Sequence, residues 1–312
     1  MGIYTSKNKV CSLSEAVSHI NDGDIVAIGG NLSAKEPMAI IREVIRQGKR
    51  NLHTIGGAHG IDIDLMCAAG TVKTVQNSYV GFEADFGLAP NYRRMIELGI
   101  VTPKDTDCVA ILTHLRGAVF GVPFMPMTPV RGTDVLKFNP EIKTMTCPYT
   151  GEQVNILPAI KPDCALIHAH KADRKGNIKL YPPYFADPLI VEASKKTIAS
   201  VEKIVSEEEM NEIGATLPYY EITAVIELPF GAHPTSCYPD YTYDREHLSE
   251  YIQIARQGTE VFKQQYIDRY IFDPKDHQTY LDLVGGLERL SKLRDWDKGQ
   301  DIWCRLLGAE TS

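Results

Sequence analysis

The chain lacks most of the signatures that assign a protein at a glance. Its 312 residues contain no CxxC pair, no GxGxxG fingerprint, no Walker-type phosphate loop and no run of basic residues. Without those glycine fingerprints, a nucleotide-binding Rossmann chain is disfavoured. A net charge of −7 with no basic cluster argues against nucleic acid and anionic membrane as main partners. No apolar stretch is long enough and free enough of charge to span a bilayer. The leader MGIYTSKNKV has no apolar core of signal-peptide length, and Gly2, in an MGxxxS context, has no second anchoring signal beside it. Seven scattered cysteines, odd in number, point to reduced thiols and a cytoplasmic location.

What is present is an ordinary globular composition, 44% apolar and 23% charged, and one stretch that organises the rest. Ile25 to Gly60 reads as strand, Gly-Gly turn, helix, strand, Gly-Gly turn. IVAIGG and NLHTIGG are apolar runs ending in paired glycines. Between them Pro37, Ile40, Ile41, Val44 and Ile45 recur at helical spacing, with charges on the other face. This is a βαβ unit and implies a parallel sheet. In such sheets ligands bind beyond the carboxyl ends of the strands, which is where these glycines fall.

The remaining pattern predicts an open, mostly parallel α/β fold flanked by helices. Ser12 or Ser14 caps a short helix, IDIDLMCAAG and NYRRMIELG are helices, and TVKTVQNSYVGF is a strand. DCVAILTHL (107–115) reads as a further apolar strand. Residues 116–160, rich in proline and glycine, read as long ordered loops with short strands. DCALIHAH and NIKLY form a hairpin, DPLIVEASKK a helix, and TIASVEKIV and EITAVIELP strands. From about Glu246 the pattern turns helical, broken at Gly285-Gly286. The expected division is an α/β domain over 1–244, with its loop-rich insertion near 116–160, and a helical C-terminal extension over 245–312.

No complete catalytic set emerges from the residues alone. His168 and His170 lie two apart on a strand and face one way. With no acid or cysteine at ligand spacing, hydrogen-bonded strand-end histidines are favoured over a metal pair, and no metal is expected. Glu83 follows a strand end and is either a tuned base or a solvated loop acid. Arg93-Arg94 reads as an anion contact or a helix surface, and His233 with Cys237 as turn residues before a Cys–His pair. Lys35 either meets an anion or is solvated. A chain of this kind needs a partner to complete its site.

NDGDIVAIGGN, KEPMAIIREVIRQGKRNLHTIGG, DCALIHAHKADRKGNI, ELPFGAHPTSCYPDYTYD and FDPKDHQTYLDLVGG together resemble the A subunit of glutaconate CoA-transferases, of the class I CoA-transferase family, over nearly the whole chain. The resemblance implies a two-subunit acyl-CoA:carboxylate CoA-transferase, with the active site between related subunits. It implies a homologous B subunit in an A2B2 or larger assembly. A B-subunit glutamate attacks the thioester, and acyl-glutamyl anhydride and glutamyl-CoA intermediates follow. The Glu-Asn-Gly core of that nucleophile motif is absent here, so no nucleophile is assigned to this chain. Gly29, Gly30, Asn31, Gly56, Gly57 and Gly60 take the substrate-binding role by resemblance, lining the acyl pocket and helping to stabilise oxyanions. Where the family has small polar residues after the third strand this chain has Gly81-Phe82-Glu83, so Phe82 and Glu83 join that set and reshape the acyl pocket. The coenzyme A thioester is substrate, and no tightly bound cofactor is expected. The alternative is an acyl-CoA hydrolase or decarboxylase complex on the same scaffold, with Glu83 as base. A non-catalytic binding protein is a third reading.

Overall fold

A computed structural model describes residues 8–127 and 132–294. The Gly2 reading, residues 128–131 of the loop-rich stretch and residues 295–312 of the expected extension lie outside the described residues. The strands, in chain order, are β1 (Ile25–Ile28), β2 (Leu52–His59), β3 (Val72–Val80), β4 (Thr102–Pro103), β5 (Phe124–Met127), β6 (Lys143–Thr146), β7 (Gln153–Pro158), β8 (Cys164–Ala172), β9 (Ile178–Lys179), β10 (Thr197–Ile204) and β11 (Ala224–Glu227).

An open sheet runs β11-β10-β8-β1-β2-β3-β4, parallel throughout, with β9 antiparallel on β8. The chain builds outward from β1 to β4 on one side and from β8 to β11 on the other. The order therefore reverses between β1 and β8, where the open-sheet rule places a ligand crevice. Helices cover both faces, so the strands are continuous apolar runs: Val26, Ala27 and Ile28, and Cys164 to Ile167, are fully buried. Among the described residues no helix is long and apolar enough to cross a membrane.

Several sequence expectations change. Residues 107–115 are not a strand. Cys108–Val119 is a helix, started by Asp107, whose Oδ1 accepts from the Ala110 N–H at 2.8 Å. A short apolar run fits either structure. Its length and the capping aspartate decide for helix. Within 116–160 the short strands β5, β7 and β6 pair as a separate antiparallel sheet over a small core of Ala110, Met127, Ile142 and Leu157. Gly56-Gly57 is not a turn either. β2 continues through both glycines to His59, and Gly60 precedes the next helix, Ile61–Ala68.

The helix Met38–Arg46 does not present its charges to water. Arg42 and Glu43 are buried along with Ile40, Ile41, Val44 and Ile45. Its second face is covered by the helices Arg245–Ala255, Lys263–Phe272 (a π-helix) and His277–Leu283. Arg42 stacks 3.6 Å from the Tyr280 ring centroid and donates to the His233 carbonyl, and Arg46 donates to the Ile271 carbonyl. The layer is sealed by aromatic contacts, with Tyr266 meeting Tyr251 at 4.7 Å, Phe262 at 5.3 Å and Tyr270 at 4.8 Å between centroids.

Candidate functional site

The carboxyl edge of the sheet starts with the turn after β1. Gly29 donates to the Leu166 carbonyl at 2.8 Å, and Gly30 donates to Asp187 Oδ1 at 2.7 Å. A side chain on Gly29 would place Cβ 2.7 Å from that carboxylate oxygen, so glycine is required for the approach. Asp187 opens the helix Asp187–Ala193 and is fully buried. Burial pushes its carboxyl up, and Lys35 and the Gly30 N–H pull it down. Lys35 is also buried. Its Nζ lies 3.7 Å from Asp187 Oδ2, donates to the Pro183 carbonyl and sits 5.0 Å from the Phe185 ring centroid. The anion Lys35 meets is thus inside the chain.

At the end of β2, Glu36, His59 and Asp62 form a buried cluster. His59 Nδ1 is 2.6 Å from Asp62 Oδ2, and Gly60 donates to Glu36 Oε1 at 2.9 Å. Burial and the neighbouring Asp62 carboxylate push Glu36 well above the usual carboxylate range. For Asp62, burial acts upward, but the His59 ring and the Ile63 N–H outweigh it and hold the carboxyl low. The two neighbouring acids are thus driven in opposite directions. On the far side of the ring, His59 Nε2 has no hydrogen-bond partner among the described residues, nor does Asn77 Nδ2. Both atoms face Gly56, where a Cβ would lie 2.5 Å and 2.8 Å from them.

Beyond β3, Gly81 donates to the His59 carbonyl at 3.0 Å, tying this turn to the previous one. Phe82 turns inward and packs against Tyr251, with centroids 5.9 Å apart, instead of facing a pocket. Glu83 is exposed, with φ +47°. Six non-glycine residues among those described have positive φ: Leu32, Lys35, Asn51, Glu83, Phe185 and Phe230. All but Asn51 follow strand ends at the carboxyl edge or fold back onto it. Strain of this kind persists only where the surrounding structure over-determines the backbone.

The sequence-assigned binding set is brought to one edge but is not uniformly open. Asn31, Gly57 and Glu83 are accessible, whereas Gly29, Gly30, Gly56, Gly60 and Phe82 are buried. The N–H groups of Gly29, Gly30 and Gly60 are engaged within the chain, on the Leu166 carbonyl, Asp187 and Glu36. Sequence reasoning missed Glu36, His59, Asp62, Asn77 and Asp187. The His-Gly-x-Asp spacing of 59–62 was the one available signal.

His168 and His170 do meet acid and thiol in space, since Glu202 and Cys237 lie beside them. The arrangement does not suit a metal. His168 Nδ1 pairs with Ser200 Oγ and Nε2 with Glu202 Oε1, both at 2.8 Å, while His170 pairs with the Tyr238 carbonyl and the Tyr181 N–H. No ring nitrogen is left to ligate. Burial lowers His170 to about 4 and raises the Cys237 thiol well above its ordinary range, so neither is poised as an active pair. His233 bonds Tyr280 and Asp244 instead of Cys237. Arg93 pairs with Glu97 on the surface, and Arg94 donates to Asn91 and the Ala255 carbonyl.

These features define an open, mostly parallel α/β chain flanked by helices, with its strand order reversing between β1 and β8. The family model for coenzyme A transferase matches residues 10–228, and the chain belongs to that family. It is 31% identical over 297 residues to the A subunit of the glutaconate CoA-transferase of Acidaminococcus fermentans, covering 89% of this chain and 92% of that one. The crystal structure of that transferase superposes with a TM-score of 0.87 over 91% of this chain and 95% of its own. The cholesterol ring-cleaving hydrolase IpdA subunit of Mycobacterium tuberculosis is 30% identical over 85% of this chain and 93% of its own length. The decarboxylase AibA/AibB superposes with a TM-score of 0.76 at 31% identity, over 83% of this chain and 98% of that one. An uncharacterized protein of Archaeoglobus fulgidus is 36% identical over 92% of this chain, which spans 64% of that protein's length.

Proposed function

We propose that this chain is the A subunit of a two-subunit, cytoplasmic acyl-CoA:carboxylate CoA-transferase resembling glutaconate CoA-transferase, with the nucleophilic glutamate supplied by a B subunit. The observation that carries the reading is an incomplete edge. Among the described residues Glu83 is an exposed acid held in a strained turn, with no nucleophile–base pair beside it. Tyr79, Leu88, Tyr184 and Phe185 are exposed and offer apolar surface a partner would cover. A partner carboxylate oxygen bonds to the thioester carbonyl carbon, and CoA thiolate leaves. The thiolate then adds to the glutamyl carbonyl and releases the first acid, and a second acid reverses the sequence. This chain supplies the wall around Asn31, Gly57 and Glu83 for the acyl group.

The test is trapping. With the assembled enzyme and acyl-CoA, hydroxylamine should modify a partner glutamate and no residue of this chain. Full-rate transfer by the purified single chain overturns the reading. The conformation of Glu83 also favours a second reading, hydrolysis or decarboxylation with Glu83 as general base. In that case Glu83→Gln lowers turnover by roughly 10²–10⁴-fold with binding retained. In a transferase the loss is about tenfold or less.

A further inference from the structure

The small antiparallel sheet carries apolar side chains on both faces. Cross-strand partners share a face, as do residues two apart on one strand. Met127 and Leu157 lie on the face of the small core, with Ala110 and Ile142. The pairs Phe124 with Pro158, Pro126 with Ile156 and Met145 with Val154 stand on the opposite face, where Lys143 also pairs with Ile156. An antiparallel sheet with one face on a core ordinarily turns polar residues outward. Here Phe124 and Pro126 are exposed, and Met145, Val154, Ile156 and Pro158 are half-buried. A cavity of about 490 Å³ opens on this outer face. Pro123, Phe124, Pro140, Ile156, Leu157 and Pro158 give it apolar walls, and Glu141 and Lys143 are its charged groups.

The two charges are not equivalent. Glu141 Oε1 is held at 2.6 Å by Lys104, which lies outside the cavity wall. Lys143 enters no ion pair and no side-chain hydrogen bond among the described residues. The acid is therefore compensated and the lysine is the charge left over. Small-molecule sites have this make-up, an apolar body with a few polar groups that fix orientation, and the volume lies within their range. A single free cation matches a single negative charge, and the walls match a hydrocarbon body. We propose that this cavity binds a monocarboxylic acid with an apolar chain, its carboxylate on Lys143 and its chain along Ile156, Pro158 and Phe124. The site shares no residue with the carboxyl edge of the main sheet, and it stands or falls independently of the CoA-transferase reading.

Calorimetric titration of the full chain with butanoate, hexanoate and octanoate tests it, with octan-1-ol as the uncharged control. Each added CH₂ should tighten the acid by up to about fourfold. Acid binding should weaken as salt rises, and octan-1-ol should bind more weakly than octanoate. Lys143→Gln, a change at an exposed side chain, should weaken octanoate on the order of tenfold and leave octan-1-ol unmoved. Phe124→Ala should weaken both, since it removes wall and leaves the charge. Octanoate that binds the Lys143→Gln chain as tightly as the parent chain sits elsewhere, at the carboxyl edge for example, and overturns the proposal. An affinity that does not change with chain length overturns it too. If no acid binds and Phe124→Asp instead splits an oligomer of this chain, the face is an interface between copies and the proposal fails.

Discussion

Around the ends of β1, β2 and β3, His59 Nε2, Asn77 Nδ2 and Asp187 Oδ2 have no hydrogen-bond partner among the described residues. In the helical layer over Met38–Arg46, the equally polar His233, His247, Asp244, Tyr266 and Tyr280 are joined to one another. His233 reaches Tyr280 at 2.8 Å and Asp244 at 3.0 Å, and His247 reaches Tyr266 at 2.8 Å. The edge carries positive φ at Leu32, Lys35 and Glu83, and the layer's helices carry none outside glycine. Both regions bury charge and both keep unpartnered atoms, since Arg42 Nη2 and His277 Nδ1 in the layer also lack a hydrogen-bond partner among the described residues, but only the edge adds backbone strain. Strained backbone at a strand edge is what a site awaiting ligand or partner retains, whereas the layer's joined histidines, tyrosines and Asp244 give rigidity. The difference can be pressed from both sides.

The largest effect should come from Asp187→Ala. It leaves the Lys35 ammonium buried beside the Phe185 ring and removes the acceptor of the Gly30 N–H. Losing one partner of a buried pair costs about 3–5 kcal/mol. Urea unfolding should show that loss. A loss under about 1 kcal/mol would mean that the edge is solvated and the pairing idle.

Acid should separate the two regions next. Burial lowers His233 and His247, with Asp244 opposing and Arg42 and Arg289 assisting for both, and the facing His233 assisting for His247. Burial also lowers His277 to about 4. A histidine neutral in the folded chain but protonated in the unfolded one stabilises fully above its unfolded value near 6.5. That stability is lost as pH falls, by about 1.4 kcal/mol per pH unit for each histidine, down to the folded value. Asp244, held low by its partners, adds a loss of the same sign below the ordinary aspartate range. At the layer's margin Asp64, raised by burial, opposes. At the edge His170 is offset by Glu36 and Asp187, whose raised carboxyls favour the folded state at low pH. Between pH 6.5 and 4, amide exchange should quicken first in the helices 245–283. Earlier loosening of residues 29–36 would reverse the comparison.

A smaller change isolates one bond of the layer. Tyr280→Phe keeps the ring under Arg42 but removes the hydroxyl that His233 Nδ1 meets. The expected cost is about 1 kcal/mol, read as a lower unfolding midpoint with an unchanged slope.

The fold was largely legible because it is carried by period. The buried runs at β1, β8 and β10 and the stripe of Ile40, Ile41, Val44 and Ile45 announce themselves in any reading of the chain. The helix Cys108–Val119 was misread because its apolar run is too short to show a period, and only Asp107 marked its start. The site was legible only in part. Its glycines stand out, but what they approach comes from elsewhere: Asp187 lies 157 residues from Gly30, and Tyr251 lies far along the chain from Phe82. Pairings at that range leave no spacing in a single sequence. The burial of Arg42 was hidden for the same reason, since Tyr280 arrives from the last helices.

The smallest effect bears most directly on what the edge is for. Glu83 has φ +47° at the carboxyl edge, and Asn51 has φ +59° at the opposite end of β2. A left-handed conformation costs a glutamate on the order of 1 kcal/mol or more, whereas asparagine adopts it readily. Replacement by glycine removes that cost but adds about 0.5–1 kcal/mol of unfolded-chain entropy. Asn51→Gly should therefore be neutral or slightly destabilising. Glu83→Gly should be neutral or stabilising by up to about 1 kcal/mol, while turnover of the assembled enzyme falls. A gain in stability joined to a loss of activity identifies strain held for function. If Glu83→Gly loses stability as Asn51→Gly does, the turn is an ordinary surface loop and the contrast between edge and layer is lost.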